Sequence, residues 1–450
     1  MKYQSQKVAL YYIGGALTLF LVQVLVGVLA GTVYVMPNLL SELLPFNVIR
    51  MIHTNALIVW LLMGFMGATY YLLPEETERE LHSPKLAILQ FWLFFGAALA
   101  AVVGYVFGIH EGREFLEQPL VIKVGIVVVV LMFLYNCTLT LLAGRKTAVA
   151  NVLMLGLWFV AIFFLFAFYN PGNLALDKMY WWWVVHLWVE GVWELIMASI
   201  LAFLMIKLTG VDREVVEKWL YVIVALSLFT GILGTGHHYY WIGTPAYWQW
   251  IGSVFSTLEV VPFFAMVVFT FVMVWKGGRQ HPNKAALLWS LGCSVIAFLG
   301  AGVWGFLHTL APINYYTHGT QVTAAHGHLA FYGAYVMLNL AVFTYAMPYL
   351  LKREPYSQAL NQAGFWLMTG GMLFMTFALT FAGVVQTHLQ RVNGDDYMSV
   401  QDALGMFFWM RLGSGIAVLI GVILLLAAFV PVGARRTVPK TPIPTATPAE

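Results

Sequence analysis

Hydrophobic residues fill long blocks of this chain, broken by short polar or turn-rich pieces. Twelve blocks reach the roughly 20 residues that a helix needs to cross the hydrocarbon core of a bilayer. They run over 8–35, 51–73, 86–108, 121–143, 149–169, 180–208, 219–238, 252–275, 285–310, 320–350, 362–386 and 405–430. Pieces such as 74–84 and 276–284 separate them. The pattern predicts an all-α integral membrane protein with twelve transmembrane helices. A single domain is expected over 1–438, with no internal repeat, followed by a Pro/Thr-rich disordered tail over 439–450. The first block is too long for the apolar region of a signal peptide, so it reads as an uncleaved first span.

Composition sharpens this. Of 450 residues, 61% are hydrophobic and 10% charged, where a soluble domain carries roughly 25% charged residues. The two cysteines, Cys137 and Cys293, lie inside apolar blocks, which excludes a disulfide framework and a Cys-rich metal site. No C-x-x-C-H occurs, so no c-type haem is attached to this chain. The net charge of +3 is spread over loops and gives no reason to expect nucleic acid. Lys and Arg placement orients the spans. With the N-terminus inside, 17 of the 23 basic residues fall on the inner side, and Arg50, Arg113, Lys123, Lys178, Arg391 and Arg411 fall outside. Both termini are therefore expected to be cytoplasmic.

The candidate chemistry sits in histidines. His53 lies near the outer end of helix 2, His186 near that of helix 6, His237 and His238 at that of helix 7, and His326 and His328 about two turns into helix 10. Histidine is rare inside membranes and is usually functional there, and it is the commonest metal ligand among side chains. Any one of these residues reads as easily as an interior or interfacial histidine. Six at one depth, on a topology drawn without them, argue for bound metals or haems. Residues i and i+2 point roughly 200° apart on a helix, so His326 and His328 face opposite flanks and can serve two cofactors. Residues i and i+4 share a face, which sets His186, Glu190 and Glu194 of HLWVEGVWE in one stripe. With His237 and His238 of GTGHHYYW, three imidazoles and a carboxylate make a metal site, and the oxygen donor suits iron better than Cu(I). Glu259 in SVFSTLEVVPFF is a further intramembrane acid. The acids cluster outward, together with Glu111, Glu114 and Glu117 in the loop GIHEGREFLEQP, and the inner halves of the blocks hold no Asp, Glu or His. Protons are accordingly expected to enter from the outer face, with none pumped. A twelve-span secondary transporter is the rival from another class, but no inverted repeat or midplane polar site is visible.

Twelve spans, a lone histidine on helix 2, one on helix 6, a His-His pair on helix 7 and H-x-H on helix 10 resemble the haem–copper oxidase superfamily, as in its subunit I. Within it, HLWVEGVWE, TGHHYYW and NYYTHGTQVTAAHGH look like the catalytic large subunits of cytochrome c-dependent nitric oxide reductases. The resemblance implies His53 and His328 as axial ligands of a low-spin haem b, and His326 as proximal ligand of a high-spin haem b3. It implies His186, His237, His238 and Glu190 as ligands of a non-haem iron, with Glu194 and Glu259 as catalytic acids supplying protons. A calcium ion bridging the haem propionates is implied as well, with Glu114 as its ligand, although an acidic outer loop is usually only solvated surface. The partners implied are a membrane-anchored cytochrome c subunit and a periplasmic donor, such as a cytochrome c or a small copper protein. The location implied is a bacterial inner membrane. Oxygen-reducing members, the nearest alternative, often carry Tyr where this chain has Glu190. Quinol-using members carry a long N-terminal extension, whereas helix 1 begins here almost at once, so the cytochrome c-using class is expected.

Overall fold

The computed structural model describes residues 2–39, 44–278, 281–352 and 357–430. The tail expected over 439–450, and Arg279, Arg353, Arg435, Arg436 and Lys440 of the charge count, lie outside the described residues. Among the described residues, twelve helices are long and apolar enough to cross a membrane: α1 (Gln4–Val35), α2 (Phe46–Thr77), α3 (Pro84–Val106), α4 (Leu120–Ala143), α5 (Ala148–Phe168), α6 (Leu174–Thr209), α7 (Arg213–Tyr239), α8 (Tyr247–Lys276), α9 (Lys284–Thr309), α10 (Gln321–Leu350), α11 (Gln358–Asn393) and α12 (Gly405–Phe429). Short helices Ala311–Thr317 and Tyr397–Ala403 precede α10 and α12.

Local chemistry sets the helix starts. The side chains of Ser83, Thr147, Asp212, Asn283, Thr320 and Ser357 accept backbone N–H groups of the first turns of α3, α5, α7, α9, α10 and α11. Such caps satisfy donors that would otherwise be left free at a helix end. Several helices outrun their hydrophobic blocks. α6 starts at Leu174, where Asn173 caps it, and α11 continues through a π-turn to Asn393. α2 continues past Pro74 to Thr77 and carries Glu75 and Glu76 with it. These are acids at the C-terminal end of α2, where the hydrophobic block stops short of them. Both are paired: Glu76 takes two hydrogen bonds from Arg213, at 2.7 and 2.9 Å, and one from Thr147, while Glu75 meets Lys207 and Gln6.

The hydrophobic core runs through all twelve helices. The segments of α2, α6 and α10 that cross the bilayer are 83%, 83% and 89% buried, against 28% and 33% for α3 and α4. Four of the six candidate histidines, His53, His186, His326 and His328, thus lie on the three helices most shielded from lipid. α12 packs on α1 and α11, α10 on α9 and α11, α8 on α7 and α9, and α5 on α6, so the peripheral helices wrap this centre. In lipid, association depends on close packing, which favours small residues at crossings. At the α1–α2 crossing a Cβ on Gly67 would lie 3.0 Å from Cβ of Tyr12.

Candidate metal and haem centre

α6 stops being regular where the site begins. Trp188–Val192 forms a π-turn in which Trp193 N–H bonds Trp188 O, and Glu190 takes the non-helical dihedrals φ −120°, ψ 33°. Single π-turns are frequent at functional sites. This one keeps His186 and Glu190 together, with Nδ1 to Oε2 at 3.5 Å, but Glu194 does not share in the cluster that results. The regular stripe expected for His186, Glu190 and Glu194 is broken at its centre.

Across from α6, the chain end of α7 tightens into a 3-10 turn over Thr235–Tyr239, which turns both His237 and His238 inward. His186, Glu190, His237 and His238 each offer a ligand atom, all within 4.8 Å of one another. His237 Nε2 is 2.9 Å from His238 Nε2 and 3.9 Å from Glu190 Oε2. Four donors around one ion, with bonds of about 2.1 Å in tetrahedral array, stand about 3.4 Å apart, and the measured spacings of 2.9, 3.5 and 3.9 Å straddle that value. The outer nitrogens are occupied. His186 Nε2–H donates to Gly231 O at 2.9 Å, and His237 Nδ1 lies 2.7 Å from Ser256 Oγ. His238 stacks on Trp182, with ring centroids 3.7 Å apart. His186 Nδ1, fully buried, has no hydrogen-bond partner. Such partners on the far nitrogen fix the tautomer and aim the remaining lone pair at a metal. This donor set therefore fits a metal ion.

The H-x-H pair of α10 divides as its geometry requires. His328 faces α2, where its ring lies 6.4 Å from that of His53, with planes 28° apart. His53 Nδ1–H donates to Gln23 O at 2.9 Å and His328 Nδ1–H to Ala324 O at 2.7 Å. The Nε2 atoms are the ones that could face an iron, that of His53 having the Gln23 amide nitrogen 3.4 Å away. His326 turns instead toward α9, where Nδ1–H donates to Gly300 O at 3.0 Å, within a further π-turn over Phe298–Trp304. A cavity lined by Val189, Glu190, His326, Phe331 and Tyr335, among others, joins His326 to the α6 cluster.

Both further acids reach this neighbourhood. Glu259 Oε1 lies 3.7 Å from His186 Nε2 and has no hydrogen-bond partner, and Glu194 Oε2 is likewise buried without one. In the loop between α3 and α4, Glu114 pairs with Arg50 at 3.0 Å, and Glu117 with Arg50 at 3.3 Å and Asn55 at 2.9 Å. Burial pushes the Glu117 carboxyl above the usual range, against the lowering effect of Asn55 and Arg50. Glu114 is not part of a comparable cluster of donors.

The sequence reading missed several contributors. His308 is a seventh histidine of this region: it is buried, lies between the hydroxyls of Thr317 and Thr323 at 3.0 Å each, and its ring is 6.2 Å from that of His326. Its place at the outer end of the ninth block was a visible signal. The carbonyls of Gly231 and Gly300, which hold two imidazoles, and the hydroxyl of Tyr335 carried no signal in a pattern of blocks.

Residues 7–417 match the family described as cytochrome c and quinol oxidase polypeptide I. The chain is 58% identical to a nitric oxide reductase subunit of Stutzerimonas stutzeri, over 95% of each chain. It is 26% identical to a cbb3-type cytochrome c oxidase subunit of the same organism, over 78% of this chain and 77% of that one. In fold it resembles a haem–copper terminal oxidase solved by electron cryo-microscopy, with a TM-score of 0.74, 14% identity, and coverage of 96% of this chain and 85% of that one.

Proposed function

The chain belongs to the cytochrome c and quinol oxidase polypeptide I family, and we propose that it is the catalytic subunit of a nitric oxide reductase, converting two NO, two electrons and two protons to N2O and water. The observation that carries this reading is the carboxylate of Glu190 among the three imidazoles of His186, His237 and His238. An N3O donor set favours iron over soft copper.

His186, His237, His238 and Glu190 would hold a non-haem iron. His326 would hold haem b3 on its flank of α10, and His328 with His53 would hold the low-spin haem b. Bound there, the paired irons supply Lewis acidity and stored electrons, the template roles of metal ions. Because His326 and His328 are two residues apart on one helix, both haems would be held against the same stretch of α10. The protein's own work is positional. Gly231, Ser256 and Gly300 aim the imidazoles, and the apolar walls of Phe331 and Val189 keep water from the reacting pair. Glu259 and Glu194 hold protons beside the centre, and membrane acids of this kind mark proton paths.

Protons come from the side on which these acids lie, which the placement of Lys and Arg assigns to the periplasm. At the opposite end, Glu75 and Glu76 are engaged by Lys207 and Arg213, so they are poor relays. Electrons come from a membrane-anchored cytochrome c subunit. Glu114 would offer one oxygen to a calcium ion, but a hard cation of this kind takes six to eight oxygens, and Glu114 is paired with Arg50, so it could not hold the ion alone.

The test is a metal count and an activity measurement on the purified complex. Expected are two b-type haems and one further iron per copy of this chain, no copper, and NO consumption matched by N2O release. Stoichiometric copper, or oxygen reduction without NO reduction, would overturn the reading.

A further inference from the structure

Tyr335 belongs to no metal-ligating motif, yet its hydroxyl donates to Val189 O, the carbonyl directly before Glu190. We infer that Tyr335 is a positioning residue for Glu190, holding the π-turn of α6 in the form that brings the carboxylate among the three imidazoles.

The π-turn creates the need for such a residue. In a regular helix Trp193 N–H would serve Val189 O, but here it serves Trp188 O instead. Val189 O thus loses its regular partner inside the helix bundle, and an unsatisfied backbone group inside a bilayer is costly. Tyr335 reaches it from α10 and is itself part of a π-turn, Tyr332–Val336. The ring is clamped edge-on by Trp193, with centroids 5.1 Å apart, and flanked by Phe65 at 6.1 Å. It is 3% exposed, and it shares the cavity that Glu190 and His326 line. On the far side of the same residue, a Cβ on Gly231 would collide with Glu190 O. The peptides on either side of Glu190 are therefore fixed by two different helices: by a hydroxyl from α10 and by the bare backbone of α7. This assignment rests on Glu190 as a metal ligand.

The experiment compares Tyr335→Phe, Glu190→Gln and the double variant in the intact complex. Two properties are read: the rate at which EDTA removes the non-haem iron, and the Mössbauer spectrum of that iron. Haem absorbance serves as the control for folding. Loss of a partner behind a metal ligand typically weakens metal binding about 10- to 100-fold, so Tyr335→Phe should release iron faster by that order, with an altered iron spectrum and unchanged haem bands. In the Glu190→Gln background, Tyr335→Phe should add nothing, since residues acting through one group are non-additive. Wild-type iron retention and spectrum in Tyr335→Phe, or effects that multiply in the double variant, overturn the inference while leaving the ligand role of Glu190 standing. Wild-type behaviour in Glu190→Gln alone instead removes the ligand role itself. If Tyr335→Phe loses its haems, Gly231→Ala presses on the same peptide from the other side. It should then loosen the iron with the haems retained, and a silent Gly231→Ala counts against the positioning of this turn.

Discussion

Gly27→Ala tests the low-spin haem site without touching a ligand. Gly27 lies on α1, against the ring of His53, and a Cβ there would stand 2.5 Å from His53 Cε1 and 2.8 Å from Nδ1. Carbon contacts settle at about 3.5–4.0 Å, so something must give by about 1 Å. The His53 ring is tethered to Gln23 O at 2.9 Å, on the same helix as Gly27, so it cannot simply follow a shift of α2. With iron–nitrogen bonds of about 2.0 Å and ring centres about 1.2 Å behind each nitrogen, two imidazoles on one iron have centroids about 6.3 Å apart. The observed separation of His53 and His328 is 6.4 Å. Metal–ligand distances tolerate shifts of only about 0.2 Å, several times less than the displacement the methyl group imposes. Overpacking of this kind costs about 1–3 kcal/mol, too little to unfold a bundle of twelve helices. Gly27→Ala should therefore lose the low-spin haem signal, or convert it to high-spin, in reduced-minus-oxidised and electron paramagnetic resonance spectra. The haem at His326 and the non-haem iron should remain. Gly14→Ala, on the same helix with no atom within 4 Å of its Cβ, is the control and should leave all signals intact. A full low-spin signal at wild-type haem content in Gly27→Ala would refute the assignment of His53 or the packing argument built on it.

Two further outcomes follow from other contacts. A Cβ on Gly234 would collide with Glu259 Oε1, so Gly234→Ala should push this carboxylate away from His186 and lower turnover toward that of Glu259→Gln, a loss of about 10²–10⁴-fold for a general acid–base group. An NO electrode reads this, and full turnover in Gly234→Ala beside a dead Glu259→Gln would show that the position of the acid is irrelevant. Burial raises the Glu117 carboxyl above its ordinary value of 4.5, so the folded state keeps a proton that the unfolded chain has released. Stability then falls as pH rises from 4.5 through the raised native value. Melting of the detergent-solubilised complex should show this fall in the wild type and a flatter profile in Glu117→Gln, and an equal slope in both would refute it.

The spans, and the six histidines as a group, were legible because both depend on composition at fixed spacing. A bilayer enforces long apolar blocks, and histidine stands out in them. The opposite facing of His326 and His328 also followed from helix geometry alone. The ends of α2 were not legible. Pro74, Glu75 and Glu76 look like a break, and what keeps them helical is Arg213 and Lys207, more than 130 residues away in sequence. The stripe through Glu194 failed for a related reason. It assumes 3.6 residues per turn, and the π-turn at Trp188–Val192 adds one residue at the very place where the site lies. His308 was visible but uncounted, since it lacks a motif of its own.

These irregularities have a common physical cause. An imidazole can serve a metal through one nitrogen only if the other is held, and a membrane interior offers few acceptors beyond the helix backbone itself. Regular helices offer only the second lone pair of carbonyls already bonded to the fourth residue on, as Gln23 O does for His53 and Ala324 O for His328. Irregular stretches add further acceptors at the cluster itself. Here Gly300 O, inside the π-turn of α9, takes His326, and Gly231 O on α7 takes His186 beside the 3-10 turn that presents His237 and His238. The glycines matter for a second reason: a Cβ on Gly300 would lie 2.5 Å from the Leu329 carbonyl carbon, so α9 and α10 could not otherwise come close enough for the bond to form. Distorted helices and bare backbone are thus what a lipid-buried metal centre requires of its scaffold, and the same distortion that frees Val189 O obliges Tyr335 to answer it.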